Sequence, residues 1–479
     1  MKKLLRCSLL GLLLLCSVVV NGAQVPKYIF LFIGDGMGFN HVEATQIYAE
    51  KVGTDTGECS LLFPTFPVMT QVCTRSASHL ITCSSAAATA LATGEKTTNY
   101  VIGMDAEKNH GLKSLARQLK DKGYKIGIIT SASIDHATPG GFYASQPDRS
   151  MYYEIGVDAA NSGFDFFGGA GLLEPRSKRN LSAPCLYDLF NQKGYTMFRG
   201  MDAYNRAAAK DKILLFPTDT VSKSLKYAMD RSAKDLSLPD LTKACLANFQ
   251  ETAKKGFFMM VEGGKIDWAC HANDAGSTIN DTIALADAVE EAVAFAKKHP
   301  DDTLILVTGD HETGGLTIGY AGTDYDTYLT NLSNQKISYA KFDSDYVSKY
   351  KENQTPFETM MQDVEKLFGL KLKGSADDKL VLTDYEVGLL KTAYEKTLSG
   401  KKADSDNQKE YVLYGSYEPL SVTITHLLNN KSGINFSSYA HTGLPVAVFA
   451  KGAGQEKFGG FYDNTQVYHK LADLMGIDK

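Results

Sequence analysis

Five short apolar runs constrain this chain most: Tyr28–Ile33, Lys125–Thr130, Phe257–Val261, Thr303–Val307 and Val446–Phe449. They are rich in Ile, Val and Phe, are bounded by glycine or polar turns, and do not alternate with polar residues. Strands buried on both faces of a parallel sheet have that pattern. Helical patterns separate them. Met37–Glu50 follows the first run, and Leu112–Lys122 precedes the second. Ile279–Lys298 precedes the fourth, with Ile283, Leu285, Ala286, Val289 and Val293 on one side. Alternating β and α predicts an α/β fold, a three-layer α/β/α sandwich around a large, mostly parallel sheet. Between about 320 and 437 the chain turns polar, charged and tyrosine-rich, with helical pieces at Pro356–Phe368 and Asp384–Thr397. This stretch reads as a crown-like insertion over one face, within a single domain running from residue 23 to 479.

The first 22 residues read as a signal peptide. Lys2, Lys3 and Arg6 form a basic start, Leu9–Val20 is apolar, and Val20-Asn21-Gly22 offers a cleavage point. The run is short for a bilayer, and Leu15 is a poor residue before a lipidated Cys16. An exported protein, periplasmic or secreted and without a membrane anchor, is expected. Export permits disulfides among the six cysteines after the leader. Cys83 and Cys270 sit beside candidate site residues, without CxxC spacing, and read as small buried residues. The net charge of −5 over 479 residues gives no argument for nucleic-acid or membrane-surface binding.

Polar groups collect after the strands. Asp35 follows the first, Thr138 the second, Glu262 the third and Asp310 the fourth. Ligand sites in open α/β sheets are expected at that edge. Asp267 and His271 are four apart, so on a helical turn they face the same way. Asp with His suits zinc, and Glu262 is a hard oxygen ligand suited to magnesium. Asp310-His311 follows an apolar run, and His441 joins the set from the far side of the insertion. Ser84 follows Leu80-Ile81-Thr82, which resembles a strand end, and precedes the alanine-rich helix Ala86–Ala92. A helix N-terminus favours an anion there. An ordinary N-cap is the plain alternative for Ser84, and Ser85 is an internal competitor for the nucleophile. Arg149 offers a guanidinium that can fork onto two phosphate oxygens. His41, His79, His110, His299, His426 and His469 lack such context and read as structural or surface residues.

GDGMG at Asp35, TCSSAAATALATG at Ser84, DHATP at Thr138, Arg149, VEGGKIDWACH at Asp267, TGDHETGG at Asp310 and AHTG at His441 occur in that order. In this order they resemble the alkaline phosphatase family, from Lys27 to about Lys479. The resemblance implies hydrolysis of phosphate monoesters through a phosphoserine, with two zinc ions and one magnesium ion. By it, Asp35, Asp310 and His311 would bind the zinc that activates Ser84, and Asp267, His271 and His441 the other zinc. Asp35, Thr138 and Glu262 would bind magnesium, and Arg149 would clamp phosphate. Small phosphate monoesters and inorganic phosphate are the expected partners, with a homodimer an open possibility.

Three positions depart from the best-known bacterial branch. Cys83 and His136 stand where that branch has aspartates, and Trp268 where it has a lysine that reaches phosphate through water; the His/Trp combination also occurs in the family. His136 and Trp268 thereby count among the expected substrate-binding residues. A phosphodiesterase or sulfatase of the same superfamily, or an exported metal- or phosphate-binding protein without turnover, are the alternatives. Thr138, Glu262 and Arg149 favour the monoesterase over the first, and Ser84 argues against a pure binder.

Overall fold

Apolar runs become strands where their backbone groups find ladder partners on both sides. The computed structural model describes residues 25–53, 61–205, 210–219, 223–375, 377–401, 403–404 and 406–477. The expected signal peptide and Cys59 lie outside the described residues. The strands are β1 (Tyr28–Gly34), β2 (Val68–Cys73), β3 (Lys125–Thr130), β4 (Phe166–Gly168), β5 (Thr196–Arg199), β6 (Ile213–Phe216) and β7 (Phe257–Gly263). They continue with β8 (Thr303–Gly309), β9 (Glu312–Thr313), β10 (Thr317–Ile318), β11 (Ile434–Asn435), β12 (His441–Thr442), β13 (Val446–Gly452) and β14 (Phe461–Asp463). Ten of them form one sheet in the order β14-β2-β13-β8-β1-β7-β3-β4-β6-β5.

Adjacent strands run parallel except at β13, which is antiparallel to both β8 and β2. The Val446–Phe449 run was expected as a buried strand in a parallel ladder; it is a buried strand, but its ladders are antiparallel. A run without alternation reports burial on both faces and carries no information on direction. A second expectation also fails. Leu80-Ile81-Thr82 is loop, with Leu80 78% and Ile81 45% exposed. The strand on that side ends at Cys73.

Side chains alternate across the sheet and bury both faces. Phe30, Phe32, Met259, Val261, Ile305 and Val307 join one core with the Leu238–Thr252 and Ala275–Ala296 helices. Ile29, Leu31, Ile33, Phe258, Met260, Leu304 and Leu306 join a second core with the Leu115–Asp121 and Thr465–Leu474 helices. The result is an α/β/α sandwich. Antiparallel pairing of β10 with β11 forms a neck from which the intervening chain departs and to which it returns. Its helices Phe357–Phe368, Asp384–Leu398 and Pro419–Lys431 send Met360, Val364, Leu390, Leu420 and Ile424 into the first core. The insertion thus shares the hydrophobic core of the sheet face beneath it.

Candidate metal centre

Parallel strands in register end together. Gly34 pairs with Gly263 on one side and Gly309 on the other, and Glu262 pairs with Thr130. Asp35, Glu262 and Asp310 therefore emerge at one edge of the sheet. The turn after β1 needs glycine. Gly36 has φ +76°, and a Cβ there would lie 2.9 Å from Asp267 Cα and from Thr313 Oγ1. Gly309 is equally constrained, since its Cβ would meet Met37 O at 2.3 Å.

Three overlapping groups of ligand atoms result, each with its members within 4.8 Å of one another: Asp35, Asp310 and His311; Asp267, His311 and His441; Asp35, His136 and Glu262. In the first, His311 Nε2 lies 3.4 Å from Asp35 Oδ1, 3.2 Å from Asp310 Oδ2 and 3.3 Å from Ser84 Oγ. The second contains His311 where His271 was expected; His271 stands beside it, with Nε2 3.3 Å from Asp267 Oδ1 and 3.2 Å from His441 Nε2. The short β9–β12 ladder holds His441 opposite Thr313. His271 Nδ1 is 2.6 Å from Tyr439 O, and His441 Nδ1 is 2.8 Å from Thr82 O. A ring nitrogen facing a carbonyl carries a proton, so Nε2 of each histidine is the atom turned inward, towards Asp267 Oδ1. In the third group, Thr138 Oγ1 is buried near Glu262, and Thr130 Oγ1 donates to Glu262 Oε2.

The electrostatics suit a bound cation. Asp35 Oδ1 and Oδ2, Glu262 Oε1, Asp310 Oδ2, Thr138 Oγ1 and His136 Nδ1 are buried without a hydrogen-bond partner. Burial, then Asp310, Asp267 and Glu262 nearby, pushes the Asp35 carboxyl well above its ordinary range. Burial also raises Asp310 and Glu262. Burial opposes ionisation of Asp267 too, but His271, His441 and His311 outweigh it and hold its carboxyl well below the ordinary range. Burial and Arg149 push His136 down to about 3. Burial lowers His311 and His441, while at His271 burial is outweighed by Asp267, which raises that imidazole to about 9. Orphaned carboxylates with imidazoles among them are the donor set of divalent ions, whose binding displaces such protons. The residues present fit such ions: mixed N and O donors in the first two groups, an oxygen-rich set in the third.

Ser84 opens the buried Ser84–Thr93 helix, as expected. Ser85 Oγ turns instead to Cys83 Sγ at 3.1 Å. Arg149 exerts its charge on Asp35, His136, His271, His311 and His441. Its backbone N–H donates to Tyr100 O at 2.7 Å, while Tyr100 N–H donates to Cys83 Sγ at 3.1 Å. Tyr100, at φ +72°, thus links the arginine to the residue before Ser84. Trp268 is half-buried, with its ring 5.8 Å from that of His136 at 69°. Among the described residues the cysteines form no disulfide, and Cys83 and Cys270 are buried.

Several site neighbours were not anticipated. Thr313 Oγ1 donates to Asp267 Oδ1 at 2.6 Å and lies 3.3 Å from His311 Nδ1, joining two groups. His41, expected to be structural, is buried against Thr313 O at 3.1 Å and Glu312 at 3.8 Å. Position in TGDHETGG was the available signal for Thr313; backbone carbonyls such as Tyr439 O and Thr82 O leave none in side-chain chemistry.

Fold and site define a class, an α/β/α hydrolase with buried metal-ligating groups at the C-terminal edge of its sheet. The chain belongs to the alkaline phosphatase family, whose model matches residues 26–165 and 186–477. It is a metal-dependent enzyme that hydrolyses phosphate monoesters. Among its relatives is alkaline phosphatase 4 of Bacillus subtilis, 30% identical over 467 residues, covering 95% of this chain and 89% of that protein. Alkaline phosphatase of Schizosaccharomyces pombe is 26% identical, covering 93% and 80% respectively. Among solved structures, a cold-active alkaline phosphatase from a psychrophilic Shewanella sp. superposes with a TM-score of 0.76 at 26% identity. It covers 94% of this chain and 99% of that one.

Proposed function

We propose that this alkaline phosphatase works through a phosphoserine on Ser84, with two zinc ions and one magnesium ion bound at its three groups. Asp35, Asp310 and His311 would hold one zinc, Asp267, His271 and His441 the other, and Asp35, Thr138 and Glu262 the magnesium. His136 is a further candidate ligand of the third ion, because it shares that group with Asp35 and Glu262. The observation that carries the reading is Ser84 Oγ at a buried helix start, 3.3 Å from His311 Nε2, which itself lies 3.4 Å from Asp35 Oδ1 and 3.2 Å from Asp310 Oδ2.

Bound divalent ions would supply charge neutralisation and make attached oxygens more acidic. The chain's own groups do the rest. Free N–H groups at the start of the Ser84–Thr93 helix favour the anionic phosphoryl group. Arg149 forks onto two of its oxygens and orients phosphorus towards Ser84. Ser84 Oγ attacks phosphorus in line, the ester P–O bond breaks, and the alcohol leaves. Water then cleaves the phosphoserine, releasing inorganic phosphate and restoring the serine. Contacts to the phosphoryl group dominate, which supports broad monoester specificity.

Lys2, Lys3 and Arg6 before the apolar Leu9–Val20 run support export to a periplasmic or secreted location. No helix among the described residues is long and apolar enough to cross a membrane. Assays of a phosphate monoester against a diester, each with and without chelator, test the reading. Chelator-sensitive monoester turnover that rises from neutral to alkaline pH is expected. Diester preference, or a sharp acidic optimum with negligible rate above about pH 8, would overturn it.

A further inference from the structure

Lys265 lies two residues before Asp267 and is only 5% exposed. An ammonium is strongly hydrated, so burying one requires specific partners. Its Nζ donates to Ser224 Oγ at 3.0 Å. It also lies 3.5 Å from the ring centroid of Tyr227 and 4.6 Å from that of Trp268. A cation over two aromatic rings is attracted to the negative face of each. Asp281 and Asp230 contribute opposite charge, while both also accept backbone N–H groups, from Ala228 at 3.1 Å and Ser338 at 3.0 Å. Tyr227 OH reaches Tyr339 OH of the insertion at 3.3 Å. Burial lowers the Lys265 pKa to about 8 against the pull of Asp281 and Asp230, so at neutral pH the ammonium is a fixed point between the metal-ligand helix, the segment at 224–230 and the insertion.

Beyond the indole stands His136. Its ring meets the Trp268 ring edge-on at 5.8 Å, and its Nδ1 is buried without a hydrogen bond. Packing against the indole therefore limits how the His136 ring can turn, while its Nδ1 has no other partner to hold it. We propose that Lys265 is a positioning residue for the third group: its ammonium, held over the rings of Tyr227 and Trp268, fixes the indole, and Trp268 fixes His136 towards Asp35 and Glu262. This inference rests on the reading that the third group holds a divalent cation.

The chain contains one tryptophan, so indole emission reports this position alone. Lys265→Met keeps the length of the side chain and removes its charge. Expected in the metal-loaded variant are a shifted indole emission, an iodide quenching constant raised about twofold, and magnesium affinity at the third group lowered about tenfold. The two zinc groups should keep their metal, and kcat should fall more than KM changes. Lys265→Arg retains a planar cation that stacks on rings and should restore most of both signals. A folded Lys265→Met protein with the wild-type emission, quenching and magnesium midpoint would overturn the proposal. Should that variant fail to fold, Tyr227→Leu removes one ring and leaves the cation in place. Its indole signal should move the same way, and wild-type behaviour there would equally overturn the proposal. Failure of the underlying reading shows elsewhere: wild-type protein that takes up no third ion would remove the site itself, whatever the variants do.

Discussion

The sheet edge and the insertion both bury acids with unpartnered oxygens, yet the two regions resolve the problem differently. At the edge, Asp35, Glu262 and Asp310 present orphaned oxygens to two groups that share Asp35, with His311 in one and His136 in the other. In the insertion, Asp343 Oδ1 is also buried and unpartnered. Burial pushes the Asp343 carboxyl up to about 7, with a hydrogen bond from Ser421 opposing the rise and the Glu418 charge adding to it. Its neighbour Glu418 is already engaged, accepting from Lys351 Nζ at 2.6 Å and from Thr397 Oγ1 at 2.6 Å. One isolated acid can relieve its burial with a single proton. Several acids sharing a point with inward-turned imidazoles are better served by divalent cations. Convergence, and not burial, separates a metal site from a buried carboxyl.

The largest effect that can break this comparison is at the nucleophile. Ser84→Ala should lower kcat/KM by at least about 10³-fold and abolish labelled phosphoenzyme. Ser85→Ala should keep most activity, because Ser85 Oγ faces Cys83 and not the metal-ligating groups. Label trapped on Ser85 in the wild type would reverse the assignment. Removing metal comes next. Chelation should lower turnover by at least about 100-fold and reduce Tm, since the converging carboxylates lose their counter-charge, and zinc plus magnesium should restore both. Full activity in protein shown to be metal-free would leave the edge no different from the insertion. Glu262→Gln should weaken magnesium binding by at least about tenfold while zinc binding changes little. Equal loss of all ions in a metal titration would mean that the three groups act as one site.

Legibility in the sequence followed the physics of each element. β3 coincides with its expected run, and β1, β7 and β8 exceed theirs by one or two residues, because double-sided burial leaves an unbroken apolar signature. The same signature misled on the direction of β13, since direction depends on connectivity. Ser84 was placed at a helix start by the alanine run after it, although the strand expected before it is an exposed loop. Asp267 and His271 were legible as a pair through helical spacing. Bringing them to His441 required the β9–β12 ladder across the insertion, which no local pattern encodes. Lys265 was passed over for a related reason. A lysine in a glycine-rich turn ordinarily points to solvent, and only the Ser224–Tyr227 segment brought over it makes it a buried cation.

The smallest effect on activity, and the sharpest on the comparison, concerns Asp343. Its folded-state pKa of about 7 lies above its ordinary value of 3.8. Between those values the folded protein binds more protons here than the unfolded chain, so the contribution to stability is complete below about pH 4 and is lost as pH rises through about 7. Asn cannot ionise and nearly matches the shape of the protonated acid. Asp343→Asn should therefore be close to neutral for stability at pH 4 and stabilising by roughly 1–3 kcal/mol at pH 8, a value reduced from the full linkage because the group is only part-buried. Thermal unfolding of both proteins across that range measures the difference. Phosphatase activity should stay within about twofold, because Asp343 belongs to none of the three ligand groups. If Asp343→Asn instead destabilises at pH 8, or sheds metal and activity, then Asp343 is ionised and held by a partner. The insertion would then carry a charge site of its own, and convergence alone would no longer distinguish the two regions.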